Sequence, residues 1–329
     1  MIASVAFRNF KALRATSLKL APFNLVIGPN GSGKTSLIQA LQTLRSLAKL
    51  PLGDADAPTR PGGPEIAFGF APPHAGVTAR LACVSDLVCD LLRVESPNPA
   101  EWTAVKTKLA TIRSYFFDHK AMAEPALRGD HAELAGDGAQ LAAVLAARQQ
   151  HAPAAFARVE AELIRLLPEF TAILCRDEPD GRVNLALAIG TEEPPVSAEN
   201  LSQGTLYLLG MLVLSLDPAP PAVVCIEEID RGIHPRMLRE VRDALYRLSY
   251  PASFGDAREP VQVIATTHSP YLLDQFREHP EEIVITQKHG HEARFERLSD
   301  RADLAELLRE GSLGDMWFSG ILGGVPEES

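Results

Sequence analysis

No run of apolar residues in this chain of 329 residues approaches the ~20 that a membrane-spanning helix requires. The longest, Leu206 to Leu216, is short, is broken by Gly210 and Ser215, and reads as a buried helix. The opening stretch MIASVAFRNFKALRA is too polar for a secretory leader, so a cytoplasmic location is expected. Positive charge is outweighed: 32 Lys and Arg stand against 42 Asp and Glu, a net charge of -10. Such a chain does not wrap nucleic acid over its whole surface, although a basic strip on one face is compatible with it. Cysteine is confined to Cys83, Cys89, Cys175 and Cys225, with no C-x-x-C pair and no histidines at zinc-finger spacing. Four reduced, mostly buried thiols are expected. Internal repeats, low-complexity tracts and heptad arrays long enough for a coiled-coil arm are missing. What is present in quantity is hydrophobic residues, at 46%, enough for one large domain or a core with an inserted lobe.

Residues 2–7 and 15–20 read as a β-hairpin, and Phe23-Asn24-Leu25-Val26-Ile27 as a short buried strand ending at Gly28. A helix is predicted over 33–49, with Leu37, Leu41, Leu44 and Leu47 on one face. Residues 51–64, rich in Pro, Gly and Asp, read as a loop, and strands follow at 65–70 and 77–84. Residues 86–168 are expected to form an inserted, mainly helical lobe between core segments 1–85 and 169–329. Its helices fall near 102–112, 138–148 and 153–167, with one embedded strand at 114–117. Strands at 170–176 and 182–189 flank the turn 178–181. From residue 200 the order is helix 203–215, strand 222–226, helix 235–248, strand 261–265, helix 269–276, strand 282–287. That alternation predicts an α/β fold with a mostly parallel sheet.

Four short motifs carry the chemistry. The first, Gly28-Pro29-Asn30-Gly31-Ser32-Gly33-Lys34-Thr35, follows a strand and opens a helix. Its glycines let backbone N–H groups converge on phosphate oxygens, and the helix N-terminus adds positive dipole. Lys34 is placed to reach the β- and γ-phosphates, Thr35 to hold Mg²⁺, and Ser36 to assist at the α-phosphate. The second is Val223-Val224-Cys225-Ile226-Glu227-Glu228, an apolar strand ending in two carboxylates. Glu227 is the candidate metal ligand. Glu228, expected to point the other way along the pleat, is the candidate to orient or deprotonate a water. The third is Thr266-Thr267-His268-Ser269-Pro270, where His268 stands at a strand end and can bond the γ-phosphate. The fourth, Leu201-Ser202-Gln203-Gly204, precedes a helix, where Ser and Gly are also ordinary capping residues.

In this order the four motifs resemble the ATP-binding-cassette class of P-loop ATPases, in its RecF, SMC and OLD-like branch. Phe7-Arg8-Asn9-Phe10-Lys11 resembles that branch's N-terminus, and Leu201-Ser202-Gln203-Gly204-Thr205 its signature motif. Glu227-Glu228-Ile229-Asp230-Arg231-Gly232-Ile233-His234-Pro235 is similar to its Walker B and D-loop, and His268 to its switch histidine. Gly136 to Leu145 and Leu313-Gly314-Asp315-Met316-Trp317 resemble a compact bacterial group of AAA-family ATPases within it. The chain departs from the pattern at Gln203, Tyr207 and Ile229, and carries neither a Toprim segment nor coiled-coil arms.

The resemblance implies an ABC-type core that binds ATP with Mg²⁺ and hydrolyses it. It implies a head-to-tail homodimer in which Ser202 and Gly204 contact the γ-phosphate in trans and Asp230 sits at the seam. With no effector domain in the chain, a separate effector protein is the expected partner, as in an antiphage-defence or toxin–antitoxin pair. The alternative is RecF-like DNA handling through strips containing Arg8, Lys11, Arg14 and Lys19 or Arg148, Arg158 and Arg165. A GTPase is disfavoured because no N-K-x-D motif occurs; Thr286-Gln287-Lys288-His289 is not one.

Overall fold

The structure is a computed structural model that describes residues 1–51, 62–130, 133–190 and 193–325. Most of the loop expected at 51–64 lies outside them. The chain divides into two compact units: residues 1–114, 221–229 and 249–329 form the first, and residues 115–220 and 230–248 the second.

The first unit opens with β1 (Ile2–Phe10), β2 (Leu13–Lys19) and β3 (Phe23–Ile27), then α1 (Lys34–Ala48). It continues with β4 (Glu65–Phe70), β5 (Thr78–Cys83), β6 (Cys89–Glu95), α2 (Pro99–Ala110) and β7 (Arg113–Tyr115). The second unit contains α3 (His119–Ala123), β8 (Ala126–Leu127), α4 (Leu141–His151) and α5 (Pro153–Leu166). It continues with β9 (Ala172–Asp177), β10 (Arg182–Ala188), β11 (Val196–Ser197) and α6 (Gln203–Ser215). The chain then forms β12 (Val223–Ile226) in the first unit and α7 (Leu238–Ser249), whose residues up to Leu248 lie in the second. The rest of the first unit is β13 (Gln262–Thr266), α8 (Pro270–Asp274), β14 (Ile283–His289), β15 (Glu292–Arg297), α9 (Leu304–Glu310) and α10 (Leu313–Phe318).

Two sheets build the first unit. One is antiparallel, in the order β2-β1-β4-β5-β6, and the other runs β15-β14-β3-β13-β12-β7. In the second sheet β14, β3, β13 and β12 are parallel neighbours, and β15 pairs antiparallel with β14. All five residues of β3 and of β13 are buried; the polar ones at their N-terminal ends, Asn24 and Gln262, are hydrogen-bonded there. A continuous core joins α1 to both sheets through Leu37, Leu41, Leu44, Phe68, Val26 and Ile264. The first turn of α1 follows a left-handed Gly33, and its apolar face repeats at helical spacing. In the second unit α5 packs on α4 and α6. Arg148 of α4 is buried there, donating to the Val213 carbonyl at 2.7 Å and pairing with Asp217 at 2.9 Å. Burial holds its guanidinium pKa below the usual value. The apolar run 206–216 is the buried body of α6, and among the described residues no helix is long and apolar enough to cross a membrane.

Three local expectations are corrected. Cys89–Glu95, expected in a helical region, is an edge strand; its Asp90, Arg93 and Glu95 mask the alternation but suit an unpaired sheet edge. Cys83 and Cys89 stand opposite each other across β5 and β6 and are joined as a disulfide, so only Cys175 and Cys225 are free thiols. The helix expected at 235–248 begins as a 3₁₀ turn at Pro235–Met237. β15, α9 and the two short strands β8 and β11, each paired with β10, are additional elements that the periodicity does not reveal.

Removing packing from the α1 face should be costly. Leu41→Ala, at a fully buried position, is expected to lower stability by about 2–5 kcal/mol, whereas Leu47→Ala, only partly buried, should cost clearly less. Denaturant titration of both variants checks this, and equal losses would contradict the packing described.

Candidate active site

β3, β13 and β12 end at one level: Val26 pairs with Thr266, and Ile226 with Ala265. The next residues of each strand therefore open side by side. These are the loop from Gly28, the acidic pair Glu227 and Glu228, and Thr267 with His268. Glu227, Glu228 and His268 line a cavity of about 310 Å³, with Lys11, Ala12, Asn30, Gly31, Gly33, Lys34, Thr35, Ser36 and Thr266 completing its wall. Such a volume lies within the usual range for small-ligand sites.

The loop has the backbone its sequence requires. Gly28, Gly31 and Gly33 all take positive φ, at 143°, 74° and 100°. A Cβ on Gly28 would lie 2.0 Å from Thr286 Oγ1, and one on Gly33 would lie 2.8 Å from Leu13, so both are sterically obliged to be glycine. Asn30 and Gly31 form the exposed apex, while Ser32, Lys34 and Ser36 are buried. Lys34 Nζ donates to the carbonyls of Gly28 at 2.7 Å and Pro29 at 3.0 Å. Burial pushes its pKa down to about 8, against the opposing pull of Glu228 and Glu227.

Thr35 Oγ1 donates to Glu227 Oε2 at 2.8 Å, bringing a hydroxyl of one motif and a carboxylate of another together across 192 residues of sequence. Hydroxyl and carboxylate oxygens are the donors that Mg²⁺ prefers. β12 ends at Ile226, and Glu228 takes a left-handed φ of 51°. The alternation of a pleat therefore stops short of Glu228, and both carboxylates line the same cavity, contrary to the expectation that they diverge. The unusual backbone is held by Glu228 N–H, which donates to Thr266 Oγ1 at 2.9 Å, and by Ile229 N–H to the Thr266 carbonyl at 3.0 Å. His268 is exposed at the cavity wall, and the following Ser269 caps α8 through Leu272 N–H at 3.2 Å.

Ser202, Gly204 and Asp230 belong to the second unit and do not line this cavity. Ser202 caps α6, accepting from Thr205 N–H at 3.1 Å. Gly204 lies against Gly232, whose carbonyl would be 2.6 Å from any added Cβ, so the segments of 201–205 and 230–233 are packed together. Tyr207 donates to the Phe117 carbonyl at 2.6 Å, and Arg231 lies over the Phe116 ring at 4.8 Å. The departures at Gln203 and Tyr207 are thus used in packing: Gln203 covers Gly232, and Tyr207 anchors α6.

Two residues of the site have roles that their motifs do not announce. Lys11, placed by sequence in a basic strip and in the string Phe7 to Lys11, lines the cavity from the tight turn between β1 and β2. Its ammonium bonds Gln39 of α1 and lies 5.5 Å from the Phe10 ring centre. Thr266 supports Glu228 as described.

Residues 1–83 match the family described as "AAA ATPase domain", and residues 117–274 match "AAA domain, putative AbiEii toxin, Type IV TA system". No curated protein matches the chain. Among solved structures, "Crystal structure of the SmcHead bound to the C-winged helix domain of ScpA" is similar with a TM-score of 0.62 at 14% identity, over 90% of this chain and 97% of that one. The "SMC head domain from Thermotoga maritima" is similar at 14% identity with a TM-score of 0.47, over 90% of this chain and 98% of that one. Residues 1–83 and 117–274 are thus similar to AAA-type ATPase domains, and the chain has the fold of an SMC head.

Proposed function

We propose that the cavity binds ATP with Mg²⁺ and hydrolyses the γ-phosphate bond. The observation that carries this reading is the 2.8 Å contact between Thr35 and Glu227 beside a phosphate loop whose glycines all hold positive φ. Thr35 and Glu227 would hold Mg²⁺, which would offset charge on the β- and γ-phosphates. The loop N–H groups and Lys34 would bind those phosphates. Lys34 is already poised, because among the described residues its hydrogen bonds go to the loop's own carbonyls. Glu228 would take the proton of an attacking water, and His268 would donate to the γ-phosphate.

In this reading the chain works as an ATP-gated dimer. Ser202 and Gly204 of one copy would cover the nucleotide of the other, with Asp230 at the seam. The dimer would drive a separate effector protein, and an antiphage or toxin–antitoxin-like role is supported by the AbiEii description of the matching family. Within the chain, the exposed position of Ser202 at the start of α6 supports the trans contact.

Lys34→Ala should lose ATP binding, measured by titration with a fluorescent ATP analogue. Glu228→Gln should bind ATP·Mg²⁺ normally yet hydrolyse it about 10²–10⁴-fold more slowly. The same variant should elute as a dimer with ATP·Mg²⁺ and as a monomer without it. A Glu228→Gln chain that stays monomeric at saturating ATP contradicts the gated dimer, and one with unchanged turnover contradicts the base.

The Lys34 pKa adds a pH test. With a free-state value of about 8, the ammonium is charged below pH 8 and loses its proton above it. Phosphate oxygens favour the charged form, so binding raises the pKa and takes up a proton above pH 8. Affinity for ATP should therefore fall as pH rises through 8, by up to about tenfold per unit. A wild-type affinity that stays flat between pH 7 and 9.5 contradicts the assignment.

A further inference from the structure

β14 lies beside β3 and carries Thr286 next to the neck of the phosphate loop. Thr286 is fully buried. Its hydroxyl donates to the carbonyl of Ile27, the last residue before the loop, at 3.0 Å. It also meets the hydroxyl of Ser32, on the opposite limb, in a short hydrogen bond. Ser32 Oγ in turn reaches the Pro29 carbonyl at 2.7 Å. Ile27, Thr286, Ser32 and Pro29 thus form one line of oxygen contacts across the loop. Two hydroxyl protons serve these three contacts. When the hydroxyls bond each other, one carbonyl is held directly and the other gives way.

Lys34 provides a second cross-link, from the inside, through the carbonyls of Gly28 and Pro29. That link is temporary by its chemistry. An ammonium has three N–H donors, so turning them to the β- and γ-phosphates draws them from those carbonyls and weakens the loop's inner tie when the ligand arrives. The contact between Thr286 and Ser32 does not involve Lys34. It is shielded from water, where a hydrogen bond meets little competition.

We infer that Thr286 is a positioning residue for the phosphate loop. Its hydroxyl holds the two limbs together after Lys34 has left the loop carbonyls, so that the N–H groups remain convergent on the bound phosphates. The inference rests on the nucleotide-binding reading above. It goes beyond that reading by assigning part of the affinity to a side chain that touches no ligand and lies 251 residues along the chain from Thr35, as position 286 against position 35.

Thr286→Val keeps the shape and removes the hydroxyl. It should raise Kd and KM for ATP·Mg²⁺ about tenfold while kcat changes less than about twofold, and leave the melting temperature close to wild type. Thr286→Ser should restore both constants to within about twofold of wild type. If Thr286→Val does not fold, Ser32→Ala breaks the same bond from the loop side and should raise Kd similarly. Folded Thr286→Val or Ser32→Ala chains that bind ATP as tightly as wild type overturn the inference. So does a Thr286→Ser chain as weak as Thr286→Val, which would assign the effect to methyl packing. A wild-type chain that binds no nucleotide defeats the underlying reading instead, and is told apart because it fails before any variant is compared.

Discussion

The parallel register of β3, β13 and β12 determines which side chains of the first unit can act together. Because Val26 stands beside Thr266 and Ala265 beside Ile226, three chain segments leave the sheet at one level. Residues 28–35, 227–228 and 267–268 are far apart in sequence and meet only through that alignment. A slip of one residue in β12 would move Glu227 along its strand and reverse its face. The 2.8 Å contact between Thr35 and Glu227 depends on the register being as observed. Full burial of all three strands enforces it, since each is apolar or hydrogen-bonded along its length.

Around that alignment, several features carry local conformational cost. Glu228 and Lys11 take left-handed backbone, with φ of 51° and 52°, which is unfavourable for residues bearing a Cβ. Both face the cavity. Lys34 is a buried cation whose pKa is pushed down to about 8. Each is compensated by its neighbours: Thr266 holds Glu228, Gln39 holds Lys11, and the loop carbonyls hold Lys34. Strain and desolvated charge are concentrated where an anionic ligand would relieve them, a pattern usual for functional sites.

Much of this was legible in the sequence because the signals were local. The strand Phe23–Ile27, the helix that starts at Lys34 and the helix Gln203–Ser215 follow directly from apolar runs bounded by glycine or a capping serine. The grouping of Lys34, Thr35, Glu227, Glu228 and His268 around one cavity could be anticipated from motif order. What was hidden is non-local. The strand Cys89–Glu95 is stabilised by its sheet neighbour, while its charges belong to an edge. The disulfide between Cys83 and Cys89 arises from cross-strand opposition that a spacing of six does not announce. Glu228 departs from the pleat because its strand ends two residues earlier. Thr286 gives no motif at all, since its role exists only where β14 lies against β3. Gln203 and Tyr207 look like departures in sequence, yet in the fold they pack against Gly232 and Phe117.

The central claim is that the cavity at the ends of β3, β12 and β13 is a site for a nucleoside triphosphate and Mg²⁺. A crystal structure of the chain with a non-hydrolysable ATP analogue and Mg²⁺ tests it most directly. The β- and γ-phosphates are expected within the loop 28–35, with Lys34 Nζ moved from the Gly28 and Pro29 carbonyls to phosphate oxygen and the metal bound by Thr35 and facing Glu227. A nucleotide bound elsewhere, or a loop that stays empty at saturating analogue with Lys34 still on its own carbonyls, would contradict it.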